Sequence, residues 1–437
     1  MDFSGDILER FRVAHGKDID LGLRAPYLDL LAAMGSPEKH LPPALVVGGT
    51  NGKGSTCAFL RAMIEATGRS VHVFTSPHLV AFYERIRIAG KLIGESELAS
   101  ILTEIEGKAE KGGVSLFEAI TAAALTAFAR HKADATLLEV GLGGRLDSTN
   151  VLPAPLGTVI SRLSFDHRAF LGESMAQIAY EKAGIMRKDV SCFIAPQPSR
   201  EALTSLKEQA AEKGAPLAIG GKDWRIEEDP AGRSFRYISK ERSVEGLPLP
   251  ALIGKHQLWN AGLAIAASSA LPFPVPDEAI RKAMTTVTWA GRLQRLTGGK
   301  LLPLLLTGSE LWLDGGHNDS AGEVLAAQMD QWLTDDKPLD LIYGMLTTKV
   351  PEEFLTPILP YVRRIRTVRI DGETAGFSAE SLAARVAAMG ARDVHPCESL
   401  HEALRSLAHA AKYDNSMPRC LITGSLYLVG QALKENG

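Results

Sequence analysis

Short apolar runs alternate with longer stretches of helical periodicity through the first 190 residues. "ALVVGG" (44–49) reads as a buried strand, and "STCAFLRAMIEATG" (55–68) as a helix closing on Gly68. "SVHVFTS" (70–76) reads as the next strand, "SLFEAITAAALTAFARH" (115–131) as a helix, and "ATLLEVG" (135–141) and "LGTVISRLS" (156–164) as further strands. Strands that are apolar throughout, separated by helices, predict a mostly parallel sheet covered on both faces. Residues 196–250 read differently: a charged helical stretch, then "WRIEEDPAGRSFRYIS" (224–239), a hairpin around Pro230 to Gly232. Together they predict a peripheral elaboration. "GKHQLWNAGLAIAASSAL" (254–271) resumes helical periodicity.

Near "WAGRLQRL" (289–296) the pattern restarts. "ELWLDGG" (310–316), "LDLIYGM" (339–345), "IRTVRI" (365–370) and "CLITGS" (420–425) are strand-like, with apolar helices such as "SAGEVLAAQMDQWL" (320–333) between them. The expectation is two α/β domains, 1–293 and 294–437, joined by a short hinge near Leu293 to Leu296. The larger carries the mostly parallel sheet, and the smaller is Rossmann-like.

Composition narrows the class. The chain has 437 residues, is 45% hydrophobic and 23% charged, and carries a net charge of −3 with scattered Lys and Arg, so no basic footprint for nucleic acid is expected. Cys57, Cys192, Cys397 and Cys420 lie far apart without a C-x-x-C, which fits reduced thiols in a cytoplasmic protein. The start, "MDFSGDILERF", lacks a basic n-region and an apolar h-region, so no secretory signal is expected. No apolar run reaches about 18 residues, so no membrane-spanning helix is expected.

The chemistry concentrates first in "VVGGTNGKGST" (46–56), a glycine-rich loop between a buried strand and a helix. Glycines let backbone N–H groups approach phosphate oxygens, and the helix N-terminus favours their charge. Lys53 can reach the outer phosphates, and Ser55 or Thr56 can hold a magnesium ion. The spelling departs from G-x-x-x-x-G-K-[ST], because Gly54 separates Lys53 from Ser55.

GTNGKGST (49–56) resembles the ATP loop of the Mur ligase superfamily, in which one glycine separates the lysine from the hydroxyl residue. "TSPHLVAFYERIRIAGKLI" (75–93) narrows the resemblance to folylpolyglutamate synthases, including the bifunctional dihydrofolate synthases. Further matches follow in family order: "LGLRAPYLDLLAAMGSP" (21–37), "LFEAIT" (116–121), "LLEVGLGGRLDSTN" (137–150), "DHRAFLGESMAQIAYEKAGIMR" (166–187), "GKHQLWNA" (254–261), "GRLQRL" (291–296), "LDGGHN" (313–318) and "ITGSLYLVG" (422–430).

The resemblance implies a Mur-ligase-like P-loop domain and a C-terminal glutamate-ligase domain. It implies an ATP-dependent ligase that joins L-glutamate to dihydropteroate or reduced folates through an acyl phosphate. ATP binding is expected at Asn51, Gly52, Lys53, Gly54, Ser55, Thr56, Asn260, Arg292 and Asp314. Mg2+ is expected at Ser55, Ser76, Glu139 and His167. The pterin is expected at Leu21, Gly22, Leu23, Phe117, Glu118 and Asp147, and glutamate at His317 and Ser425. Lys53, Lys182 and His317 are the expected catalytic residues, with Lys182 carbamylated on its side-chain nitrogen. Neither nucleic acid nor membrane is an expected partner, and a monomer is expected. Taken singly, these residues have ordinary readings too: Glu139 as a helix cap, Ser76 as a turn residue, Phe117 as buried packing, Lys182 as a snorkelling lysine and Asn260 on a solvated face.

Two positions depart from the family pattern. Tyr83 stands where F-N-E-R-I has asparagine, and "SRLSFDH" (161–167) replaces S-I-D-x-D-H while keeping Asp166 and His167. Two other functions fit a P-loop α/β chain. One is a peptidoglycan-type amino-acid ligase, which the SPHL and LFEAIT motifs disfavour. The other is a non-catalytic nucleotide-binding regulator, which would not need Lys182, Asp314 and His317 together.

Overall fold

A computed structural model describes residues 3–15, 23, 25–335 and 337–437. The chain forms two compact units, Met1–Ala251 with Gln257–Thr288, and Leu252–His256 with Trp289–Gly437. No helix among the described residues is long and apolar enough to cross a membrane. All four cysteines are free and buried.

The first unit is built on eight strands: β1 (Ala44–Gly48), β2 (Val71–Phe74), β3 (Ile86–Ile88), β4 (Lys91–Leu92), β5 (Ala135–Glu139), β6 (Gly157–Ile160), β7 (Cys192–Ile194) and β8 (Leu217–Ile219). Their order is β4-β3-β2-β5-β1-β6-β7-β8, with β2 through β8 pairing in parallel and β3 and β4 forming an antiparallel edge. β1 is buried at every position. Alternate side chains point to opposite faces, so full burial means both faces are covered, as the unbroken apolar spelling of 44–49 predicts. Helix Lys53–Ala66 packs on β1, β2 and β5, and the alanine-rich helix Leu116–Arg130 packs on β2 and β3.

Part of the segment expected as a peripheral elaboration continues this sheet instead. Helix Arg200–Lys213 leads into β8, which pairs in parallel with β7. Both strands have only three residues, too short to show a period. The predicted hairpin forms as β9 (Trp224–Glu228) and β10 (Ser234–Ser239), and β11 (Ser243–Pro248) completes a separate antiparallel sheet.

The second unit carries β12 (Gln294–Leu296), β13 (Glu310–Leu313), β14 (Leu339–Tyr343), β15 (Val362–Val368), β16 (Val394–Cys397) and β17 (Arg419–Thr423), in the order β12-β13-β17-β14-β15-β16. All neighbours are parallel except β12 against β13. The expected hinge residues 293–296 therefore belong to this unit. Gln294 to Leu296 pair with Leu313 to Leu311, and Leu293 sits in a core with Trp312, Leu341, Tyr343, Phe354 and Leu421.

An ion network closes the opposite end of this sheet. Asp340 is fully buried and accepts two bonds from Arg363, at 2.9 and 2.8 Å, with Arg364 3.6 Å away. Asp393 and Asp414 complete the pairing of Arg363, Arg364 and Arg366. Asp340→Ala removes the buried carboxylate that Arg363 bonds twice, leaves the arginines to Asp393 and Asp414, and is expected to cost roughly 1.5–3 kcal/mol. A urea titration checks this, and an unshifted midpoint would show that the network carries no stability.

Candidate active site

The glycine loop leaves β1 at Gly48 and enters helix Lys53–Ala66 at Gly52. Its two bends demand glycine. Gly49 has φ +135°, and a Cβ there would lie 2.0 Å from Ser161 Oγ; Gly52 has φ +89°, and a Cβ there would lie 2.4 Å from Asn260 Oδ1. The loop is braced from the segment after β6. Thr50 and Asn51 both donate N–H to Arg162 O at 3.1 Å, and Asn51 Nδ2 donates to Ser164 Oγ at 3.2 Å. Two amines converge on its carbonyls. Lys53 Nζ donates to Thr50 O at 3.2 Å, and Lys182 Nζ to Gly49 O at 2.9 Å. Ser55 and Thr56 are buried in the first helical turn, where orphan N–H groups favour an anion.

Lys182 is fixed by its own surroundings. Its helix, Met175–Ala183, starts with a capping box between Ser174 and Gln177. At the other end, a Cβ on Gly184 would lie 2.2 Å from Arg145 Cα, and one on Gly144 would lie 3.0 Å from the carbonyls of Glu181 and Lys182. The spelling "GLGG" thus lets loop 141–150 lie against this helix end. Arg187 staples the two, donating to Gly184 O, Ile185 O and Met186 O as well as to Asn150 Oδ1 at 2.8 Å. Lys182 is 5% exposed, and its pKa falls to about 7, first through loss of water and second through the Lys53 charge.

The remaining metal candidates line the same carboxyl edge. β2, β5, β1 and β6 are consecutive neighbours in the sheet, and their outgoing segments carry Ser76, Glu139, the glycine loop and His167 respectively. Glu139 lies level with Val47 on β1, is buried, and accepts the Ser76 N–H at 3.3 Å. His167 is exposed, with φ +49° and Asp166 accepting its N–H at 2.8 Å. Among the described residues no group of three or more His, Cys, Asp or Glu converges as a metal site. The buried donors here, one carboxylate and a hydroxyl, suit a hard divalent cation that takes most ligands from phosphate and water.

Of the residues expected at the pterin, Leu21 and Gly22 lie outside the described residues. Leu23 and Phe117 are partly buried against the core of the first unit. Phe117 packs over Gly141, where a Cβ would lie 2.2 Å from its ring. Glu118 is buried as the third residue of a capping box, accepting the Ser115 N–H at 2.7 Å. Asp147 is buried and accepts from Leu142 N–H at 2.8 Å and from Thr149 Oγ1 at 2.6 Å. Burial raises its pKa, and these donors oppose the shift.

In the second unit, Asp314 follows β13 and Ser425 follows β17, at the carboxyl edge of two adjacent parallel strands. Asp314 accepts the N–H groups of Leu293 at 2.9 Å and Gly316 at 2.7 Å; burial raises its pKa against the pull of Arg292. His317 Nδ1 lies 2.9 Å from Gly315 O. A Cβ on Gly315 would lie 2.9 Å from Arg292 Nη1, which places the guanidinium over this turn. Ser425 caps helix Leu426–Asn436, accepting the Tyr427 N–H at 3.1 Å.

Three side chains given no role by the sequence brace the site: Gln257, Ser164 and Glu84. Gln257 is buried and donates to Ser55 Oγ at 3.4 Å; its spacing from Asn260 was the available signal. Asn260, with a solvated face as one reading, is 7% exposed. Ser164 braces the loop from within "SRLSFDH", the segment that departs from the family pattern. Glu84 gathers the N–H groups of Leu79, Val80 and Ala81 at 2.9 to 3.1 Å and thereby shapes the loop after Ser76.

The family model described as Mur ligase middle domain matches residues 47–268, which places the chain among the ATP-dependent ligases of the Mur class. The model described as dihydrofolate synthetase, C-terminal domain, matches residues 305–435. The dihydrofolate synthase/folylpolyglutamate synthase of Bacillus subtilis (strain 168) is 32% identical over 421 residues, 93% of each chain. Escherichia coli FolC in complex with DHPP and ADP superposes with a TM-score of 0.85 at 29% identity, covering 99% of this chain and 97% of that one. A bifunctional folylpolyglutamate synthase/dihydrofolate synthase with Mn, AMPPNP and L-glutamate bound gives 0.84 at 29% identity, with the same coverage of 99% and 97%. The chain belongs to the dihydrofolate synthase/folylpolyglutamate synthase family.

The Lys182 amine has a measurable signature. In the folded chain it loses its proton near pH 7, and in the unfolded chain near 10.5. Between those values only the unfolded state holds the proton, so this residue makes stability rise with pH across the window. The penalty of burying the charge is fully present below about 7 and gone above 10.5. Relative to Lys182→Met, the wild type is expected to gain a few kcal/mol over this window. Chemical denaturation at a series of pH values reads the difference, and a pH-independent difference would refute the shifted lysine.

Proposed function

We propose that this chain joins L-glutamate to dihydropteroate, forming dihydrofolate, and to reduced folates, forming folylpolyglutamates. The observation that carries this reading is the braced glycine loop, with Lys53 and buried Lys182 on its carbonyls and Glu139 on the next strand. It sits in a chain that matches synthases solved with ADP, with DHPP, and with AMPPNP and L-glutamate over nearly its whole length.

A carboxylate oxygen of the acceptor attacks the γ-phosphorus of ATP, the bond to the bridging oxygen breaks, and ADP leaves. The glutamate amine then attacks the acyl carbon, loses a proton and expels phosphate, leaving an amide. Charge gathers on phosphoryl oxygens in both steps, so catalysis is positioning and cationic stabilisation. Lys53 and the first-turn N–H groups hold the phosphates. Asn260, Arg292 and Asp314 complete the nucleotide contacts, and His317 and Ser425 orient the glutamate. These roles assign ATP and pterin binding chiefly to residues 1–293 and the glutamate side to 294–437.

Mg2+ would be held by Ser55, Ser76, Glu139 and His167, and when bound it supplies charge neutralisation between phosphate oxygens. An amine with a pKa of about 7 has a substantial neutral fraction at physiological pH. Lys182 Nζ can therefore add to carbon dioxide and release a proton, giving an N-carboxylate that keeps one N–H. Phe117 offers an aromatic face to the pterin, and Leu21, Gly22 and Leu23 are assigned to the same ligand by their motif. Glu118 and Asp147 accept from its amino and ring N–H groups with lone pairs beyond those their backbone bonds use. The four free thiols fit a reducing cytoplasm as the place where the enzyme acts.

A mass-resolved assay with magnesium, ATP and glutamate tests the reading, with 7,8-dihydropteroate in one tube and tetrahydrofolate in another. Gain of one glutamate residue in both is the expected result. Product in only one tube would restrict the enzyme to that acceptor, and product in neither would refute the assignment. Lys53→Ala is expected to abolish turnover while leaving thermal unfolding unchanged. Acceptor-dependent ADP release that survives in this variant would remove Lys53 from the mechanism.

A further inference from the structure

We infer that Gln257 is a positioning residue of the nucleotide site, which holds the Ser55 hydroxyl by one lone pair so that its other lone pair and its proton stay available to ligands. The inference deepens the nucleotide–metal reading above and rests on it.

Gln257 and Asn260 stand three residues apart on helix Lys255–Ser268 and share a face. They are 1% and 7% exposed. Amides buried this deeply are held by hydrogen bonds, and the partners here form a chain. Asn260 Nδ2 donates to Gln257 Oε1 at 3.0 Å, and Gln257 Nε2 donates to Ser55 Oγ at 3.4 Å. Asn260 in turn lies against Gly52, the residue that opens the helix. Two side chains of one helix therefore grip the glycine loop at both Gly52 and Ser55.

A serine hydroxyl offers one donor and two lone pairs. Gln257 takes one lone pair, which leaves the other for a cation and the proton for a phosphate oxygen. The next residue shows the alternative. Thr56 Oγ1 donates to Gly52 O at 2.9 Å, the back-bond by which helical Ser and Thr spend their proton on the preceding turn. Ser55 released from Gln257 can turn its proton to the Gly52 carbonyl three residues back, and the proton is then lost to the phosphate. Gln257 itself touches neither metal nor phosphate in this scheme and acts through Ser55.

The test is a double-mutant cycle read by Mn2+-dependent binding of AMPPNP in calorimetry, without folate or glutamate. Gln257→Leu is expected to weaken binding about tenfold, on the scale of one hydrogen bond to a ligand-bearing group. Ser55→Ala should weaken it at least as much, and Gln257→Leu should cost clearly less in that background than in the wild type, because only its bond to Asn260 is then left to lose. Gln257→Met is close in shape, uncharged and without a donor, so it should show the same loss, and unchanged thermal unfolding of either variant shows that the loss is not misfolding. Losses that multiply in the double variant, or wild-type binding by Gln257→Leu, would overturn the inference while leaving the nucleotide site intact. Failure of the wild type itself to bind Mn2+ and AMPPNP would overturn the nucleotide reading and this inference with it.

Discussion

Lys182 donates to a carbonyl of the glycine loop from a place where it has almost no water, and much of the site depends on that 2.9 Å contact. A charged ammonium there is costly, so the residue stays only because neighbouring segments hold it. The glycines at 144 and 184 let loop 141–150 approach the end of its helix, and Arg187 ties the same two pieces through Asn150. The glycine loop, the loop bearing Asp147 and the helix bearing Lys182 are therefore one braced assembly. Its low pKa follows from the same packing that positions it, so reactivity and architecture have one cause.

Both units use the same topological device. In a parallel sheet every strand delivers its outgoing loop to one edge, and neighbours in the sheet deliver residues distant in sequence to the same place. In the first unit β2, β5, β1 and β6 bring residues 76, 139, 49–56 and 162–167 to one edge. In the second, β13 and β17 do the same for Asp314 and Ser425, which lie more than a hundred residues apart. A chemistry that is mostly positioning of phosphates and carboxylates suits such edges, because rigid strands hold the groups and short loops vary them.

Several residues expected to meet substrate also carry local structure. Glu118 closes a capping box, Asp147 organises its own turn, and Ser425 caps a helix. These roles do not compete, since a carboxylate has about four acceptor sites and a hydroxyl can accept from a backbone and still donate. The local bonds orient the group before any ligand arrives, which lowers the entropy a ligand must lose.

The sequence by itself determined the class of fold, the glycine loop, the principal strands of both sheets and the family. Each of these rests on local signals: an apolar run, a glycine at a turn, or a motif read in order. Strands of three residues were illegible because three positions cannot display a period, so β7 and β8 emerged only from their partners. Residues 294–296, read as part of a hinge, form another three-residue strand, which shows itself only through its antiparallel pairing with β13. Only tertiary structure decided that Gln257 reaches Ser55, that Ser164 braces Asn51, and that Lys182 is stripped of water. Each depends on contacts between side chains many residues apart, and no local spacing encodes a distance across the fold.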